Sequence, residues 1–149
     1  MNSTSRSICF VGADNYPVLN PDYQNHYIGG ESVQQTLLAK AFVDLGYDVS
    51  MVVTDLGQGD AEVIDGIRVY KSFRPDAGIP VLRFIHPRFT SLWQALKRAD
   101  ADIYYQSCAS VATGFVAWFC RKHGRKLVFR VAHDTDLMPG RQLIPYWRD

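Results

Sequence analysis

The chain has 149 residues, 16 Lys+Arg against 15 Asp+Glu, and a formal net charge of +1. With 47% hydrophobic and 13% aromatic residues it can bury a core as a single domain, which excludes a disordered chain. Near-neutral charge excludes the electrostatic footprint of a nucleic-acid binder, and no run approaches the ~18 apolar residues of a membrane span. Cys9, Cys108 and Cys120 are odd in number and widely separated, so reduced thiols and a cytoplasmic location are expected. The apolar run Ile8 to Val11 is too short for a signal peptide, and the four histidines show no helical metal spacing, so neither a metal nor a cofactor is expected.

Ile8 to Gly12 is a continuous apolar run ending in glycine, which predicts a central strand buried on both faces of a parallel sheet. A long polar stretch, 13–28, follows. Val33, Leu37, Leu38, Ala41, Phe42 and Leu45 recur at helical spacing before Gly46, predicting a helix with that face inward. Val49 to Val53 forms the next strand, completing a right-handed strand–helix–strand unit. Asp65-Gly66 between Val63-Ile64 and Ile67–Tyr70 predicts a two-residue hairpin, read as a small β excursion. Phe89, Leu92, Trp93 and Leu96 trace a second helix; Asp102 to Tyr105 is a strand, Ser110 to His123 a helix stopped at Gly124, and Leu127 to Val131 a further strand. The alternation specifies an α/β, Rossmann-like, doubly wound, mainly parallel sheet in one domain, 1–149. The end, Arg141 to Asp149, reads as the approach to another helix, as in a truncated half of a longer enzyme.

In such sheets ligands bind beyond the carboxyl ends of the strands. The polar residues there are Gly12-Ala13-Asp14, Thr54-Asp55, Gln106-Ser107-Cys108 and His133-Asp134. Gly29-Gly30 opens the first helix, where backbone N–H groups can meet a phosphate; a flexible turn is the alternative. A dinucleotide fingerprint is excluded, because residues 13–28 separate Gly12 from Gly29-Gly30, and Asp55 then reads as a solvated strand-end acid or a helper of loop 56–60 rather than a ribose ligand. His133, at the change from buried strand to polar residues, can hydrogen-bond a sugar hydroxyl or phosphate, or can merely tie down a neighbouring loop. A Cys108, His133, Asp134 nucleophilic set lacks any local signature. The basic run 121–126 falls at a helix C-terminus and reads as a solvated face. Ile79 to Arg98 mixes aromatic and basic residues in a way that suits peripheral contact with an anionic membrane, although core packing is favoured.

The strand Ile8–Gly12, the long loop into Gly29-Gly30-Glu31, Leu45-Gly46-Tyr47-Asp48-Val49, the Asp65-Gly66 hairpin and His133-Asp134 together resemble the N-terminal domain of family 4 glycosyltransferases. The family's usual Gly-His-x-Val stands here as Gly46-Tyr47-Asp48-Val49, a departure that touches packing. The resemblance implies a GT-B enzyme of two Rossmann-like domains that transfers a sugar from a nucleotide-sugar donor with retention and without a metal. It implies that this half binds a glycan, lipid or small-molecule acceptor, that Gly29 and Gly30 lie near the donor diphosphate, and that His133 is catalytic beside the transferred sugar. Asp134, Gln106 and Ser107 follow as acceptor-binding candidates. The paired glutamates of the family's C-terminal nucleotide lobe are not in these residues, so the fragment alone should be inactive. The alternative is a noncatalytic α/β module that binds a ligand or partner, or one chain of a split enzyme.

Overall fold

The computed structural model describes residues 6–79, 85–132 and 134. Six strands form one sheet: β1 (Ser7–Val11), β2 (Asp48–Val53), β3 (Glu62–Ile64), β4 (Ile67–Lys71), β5 (Ile103–Ser107) and β6 (Lys126–Arg130). Their order is β3-β4-β2-β1-β5-β6, parallel except for the β3/β4 pair. Helices are α1 (Tyr16–Leu19), α2 (Gly30–Asp44), α3 (Thr90–Ala99) and α4 (Val111–His123).

The central strands are apolar on both faces because both faces are covered. Ile8 and Phe10 join Val49, Met51 and Val53 in one core with α1 and α2, while Cys9 and Val11 join Val52, Leu92, Leu96, Val116 and Phe119 in a second core with α3 and α4. Each fully buried large side chain, such as Phe10 or Met51, contributes about 1.5–3 kcal/mol of burial free energy. Cys9 and Cys120 belong to the second core; burial pushes their thiols up to about 12 and about 11, so neither is a nucleophile at neutral pH.

The hairpin is more than an excursion, because β4 pairs in parallel with β2 and so extends the main sheet. Asp65 and Gly66 take φ +51° and +79°, the backbone signs that a tight hairpin turn requires. A Cβ on Gly66 would lie 2.7 Å from Val43 Cγ1, so glycine also lets this turn seat against α2.

The inward face of α2 differs from the one its apolar spacing predicts. Ser32, Gln35, Thr36 and Ala39 are buried, with Leu38, Phe42 and Val43 packed against the core at its edge. Val33, Ala41 and Leu45 are exposed, as is Leu37 at 63%. The rotation follows from polar bonding: Asn15 Nδ2 donates to Gln35 Oε1 (3.1 Å) and Gln35 Nε2 donates to Glu31 Oε1 (2.8 Å), which holds the polar edge of α2 inward. Residues 13–28, expected as loop, contain α1 and a 3-10 turn at Pro21–Tyr23, and bury Tyr16 and Leu19.

α3 packs Leu92, Ala95 and Leu96 inward, so core packing is the role of this part of 79–98. α4 begins with a reciprocal capping box between Ser110 and Thr113 and ends at Gly124, φ +64°, with Arg121, Lys122 and His123 in its last turn. Those charges complement the helix dipole. No helix among the described residues is long and apolar enough to cross a membrane.

Candidate functional site

The chain leaves β1 toward β2 on one side and leaves β5 toward β6 on the other, so the two neighbouring strands form the switch point of the sheet. α2 covers one face and α4 the other, and the loops diverge above the strand ends. A cavity of about 260 Å³ opens there, walled by Gly12 to Asn15 after β1, Glu31 and Ser32 of α2, Gln106 and Ser107 of β5, and Cys108 to Ser110 before α4.

Gly12 is required by close approach. Its N–H donates to Val52 O (3.1 Å), and a Cβ would lie 2.4 Å from Asn15 Nδ2. Asn15 is fully buried and starts the bonded series through Gln35 to Glu31, which fixes the Glu31 carboxylate at the cavity wall. Three polar atoms of the wall have no hydrogen-bond partner among the described residues: Asn15 Oδ1, Gln106 Oε1 and Ser107 Oγ, all buried. Such groups are costly unless something satisfies them, and all three residues line this cavity.

Asp14 also lines it. Burial first, and then the nearby charge of Glu31, raise its carboxyl above the ordinary value. None of the described residues lining the cavity is a lysine or arginine, so its charge comes from two carboxylates.

Gly29 is the N-cap of α2 and provides no side-chain bond to the first turn. Its carbonyl accepts from Val33 N (3.2 Å), and as a glycine it offers no side-chain acceptor to the first-turn N–H groups. A Cβ on Gly30 would meet nothing within 4 Å among the described residues. A Cβ on Gly29 would instead sit 3.2 Å from the Tyr27 ring. The glycines do not wall the cavity themselves; the next two residues, Glu31 and Ser32, do.

Gln106 and Ser107 therefore share a site with the start of α2, as their strand-end position predicts. Asp134 is exposed beyond β6 and does not line this cavity. His133 lies outside the described residues. Asp55 takes the loop role expected of it: Oδ1 accepts from Gly57 N (2.9 Å) and pairs with Lys71 Nζ (3.5 Å). Gln58 completes that loop, donating to Thr54 O and accepting from Leu56 N. Cys108 stands at the cavity with φ +62°. Asn15 and Glu31 were missed as site residues. The signal was the i, i+4 pair Glu31/Gln35 on the polar edge of a helix whose apolar edge drew attention instead.

A solved structure shares the fold: the C-terminal domain (residues 78–226) of a hydrogenase from Pyrococcus furiosus superposes with TM-score 0.52 at 13% identity, covering 83% of this chain and 90% of that one. At that identity the likeness concerns the fold alone. A search of curated proteins gives no match. The glycosyl transferase 4-like domain, by contrast, matches residues 29–148, from the N-cap glycine of α2 through every later element of the sheet. The chain belongs to the glycosyl transferase 4-like domain family.

Proposed function

We propose that this domain is the acceptor-side half of a retaining glycosyltransferase of hexosyltransferase type, inactive alone and completed by a C-terminal lobe that holds the nucleotide sugar. The single observation that carries the reading is the cavity at the β1/β5 switch point, where a helix start without an N-cap side-chain bond adjoins three buried polar atoms that have no partner among the described residues. Family membership supplies the reaction class. As the bond from sugar to diphosphate breaks, its electron pair leaves on the phosphate. The N–H groups of Gly30 and its neighbours, at the positive end of α2, are suited to receive that charge. His133, three residues after the end of β6 in the sequence, is assigned to the donor sugar, with Gln106, Ser107 and Asp134 toward the acceptor. The acceptor is a glycan, lipid or small molecule. Three free thiols support a reducing compartment, the cytoplasm.

One observation favours a second reading. The paired carboxylates Asp14 and Glu31, with no lysine or arginine among the described residues of the wall, suit a noncatalytic module for a neutral ligand better than a diphosphate clamp. Transfer assays separate the two. With the C-terminal lobe present, nucleotide sugars should be consumed in an acceptor-dependent manner, and His133→Ala should lower turnover far more than folding stability. Unchanged turnover in that variant removes His133 from the site, and no consumption of any nucleotide sugar favours the binding module.

A further inference from the structure

A second cavity, about 300 Å³, lies beside the first, and the two share Ala13, Asp14 and Phe73 in their walls. Pro17, Thr54 and Leu56 also line the second cavity, and Asp14, His26 and Arg88 bring it charged or titratable side chains. Tyr27 stands over it, 75% exposed, and a Cβ on Gly29 would meet its ring. The position is informative because the other rings nearby are engaged. Tyr23 meets Tyr16 edge-on and stacks on His26, while the Arg88 guanidinium lies 5.4 Å from the centre of the Phe73 ring. Tyr27 has no ring or cation against it among the described residues. A large aromatic side chain left out of the core, beside the helix start and above a polar cavity, is a surface for a ligand with an apolar face and polar edges.

The charges narrow the ligand. Asp14, shared with the first cavity, opposes an anionic group, while Arg88 and His26, which line the second but not the first, oppose a cationic one. A neutral ring bearing hydroxyls satisfies both: its C–H face stacks on the negative face of the tyrosine ring, and its hydroxyls donate to Asp14 and accept from Arg88. We propose that this cavity is a second subsite, which holds a neutral sugar ring of the acceptor stacked on Tyr27, so that the acceptor spans both cavities as at least a disaccharide. The proposal rests on reading the first cavity as the place where substrates meet.

The test is saturation-transfer NMR on this chain with cellobiose, mannobiose and lactose as neutral probes and glucose 6-phosphate as the anionic one. Transfer to both rings of at least one disaccharide is expected. Its affinity should fall about three- to tenfold in Tyr27→Ala and hold in Tyr27→Phe, with unchanged thermal midpoints because the ring is exposed. Equal affinity in Tyr27→Ala, transfer to glucose 6-phosphate alone, or no transfer to any disaccharide overturns the subsite. The Gly30 amide signal under titration with UDP-glucose and GDP-mannose keeps the two readings apart: a shift there without disaccharide contact sinks only the subsite, and disaccharide contact without that shift sinks only the donor assignment.

Discussion

Gly12 and Gly30 are both glycines at the site, for different reasons that mutation can separate. At Gly12 the space is already taken by the buried Asn15 amide, which is held by Gln35 and cannot swing away without losing that bond. Gly12→Ala should therefore destabilise the domain by about 1–3 kcal/mol, read as a lowered denaturant midpoint. At Gly30 the space is empty, so Gly30→Val should fold with an unchanged midpoint and still weaken binding of a nucleotide-sugar diphosphate by crowding the helix start. Equal donor affinity would reject that role. Asp14 offers a pH test. Its carboxyl is raised in the fold, first by burial and then by Glu31, so the folded state holds a proton that the unfolded chain has released. The stability it contributes is present below the ordinary value of 3.8 and is lost as pH rises through the raised value. Asp14→Asn should accordingly raise the thermal midpoint at pH 7 and leave it unchanged near pH 3. Glycine pairs and strand-end polar residues were legible in the sequence at this scale. The burial of Asn15 was not, because it depends on a neighbour twenty positions away.

Among the elements, α2 separates what periodicity can specify from what it cannot. Its extent and its stop near Gly46 were legible, since both follow from local spacing and from the positive φ of that glycine. Its inward face was not legible from hydrophobicity, because Ser32, Gln35, Thr36 and Ala39 are small or polar and face inward through contacts made with other segments. Leu37→Ser is the direct check: the exposed position predicts a stability change within about 0.5 kcal/mol, whereas a core leucine would cost about 2–5 kcal/mol. The hairpin was placed correctly by Asp65-Gly66, but its membership of the main sheet was not, because the parallel pairing of β4 with β2 is nonlocal. Gly66→Ala forces a side chain into φ +79° and against Val43, and chemical denaturation should show a loss of about 1–3 kcal/mol. α1 escaped notice because four residues containing a proline carry no period.

Across the whole molecule, the strand order puts the first and fifth strands side by side, and that adjacency brings Gln106 and Ser107 to the same cavity as Gly12 to Asn15. The pair is fastened at its far end by Asp102, which accepts from the Ser7 backbone N–H (3.1 Å) and the Ser7 hydroxyl (2.9 Å). These bonds, with lesser help from Arg125, hold its carboxyl below the ordinary 3.8. That contribution is present above the ordinary value and is lost as pH falls through the lowered one, so Asp102→Asn should flatten the acid limb of the stability curve. The alternating strands and helices made the doubly wound architecture readable in advance, and with it the end of the sheet where ligands bind. The central claim is that the start of α2 faces the diphosphate of a nucleotide sugar across this cavity. The most direct measurement is the amide NMR spectrum of the chain, joined to its C-terminal lobe, during titration with UDP-glucose and GDP-mannose. The account predicts shifts centred on Gly30, Glu31 and Ser32 that spread to Gln106 and Ser107 and disappear in Gly30→Val. Shifts confined to other parts of the sheet, or none at saturating donor, would contradict it.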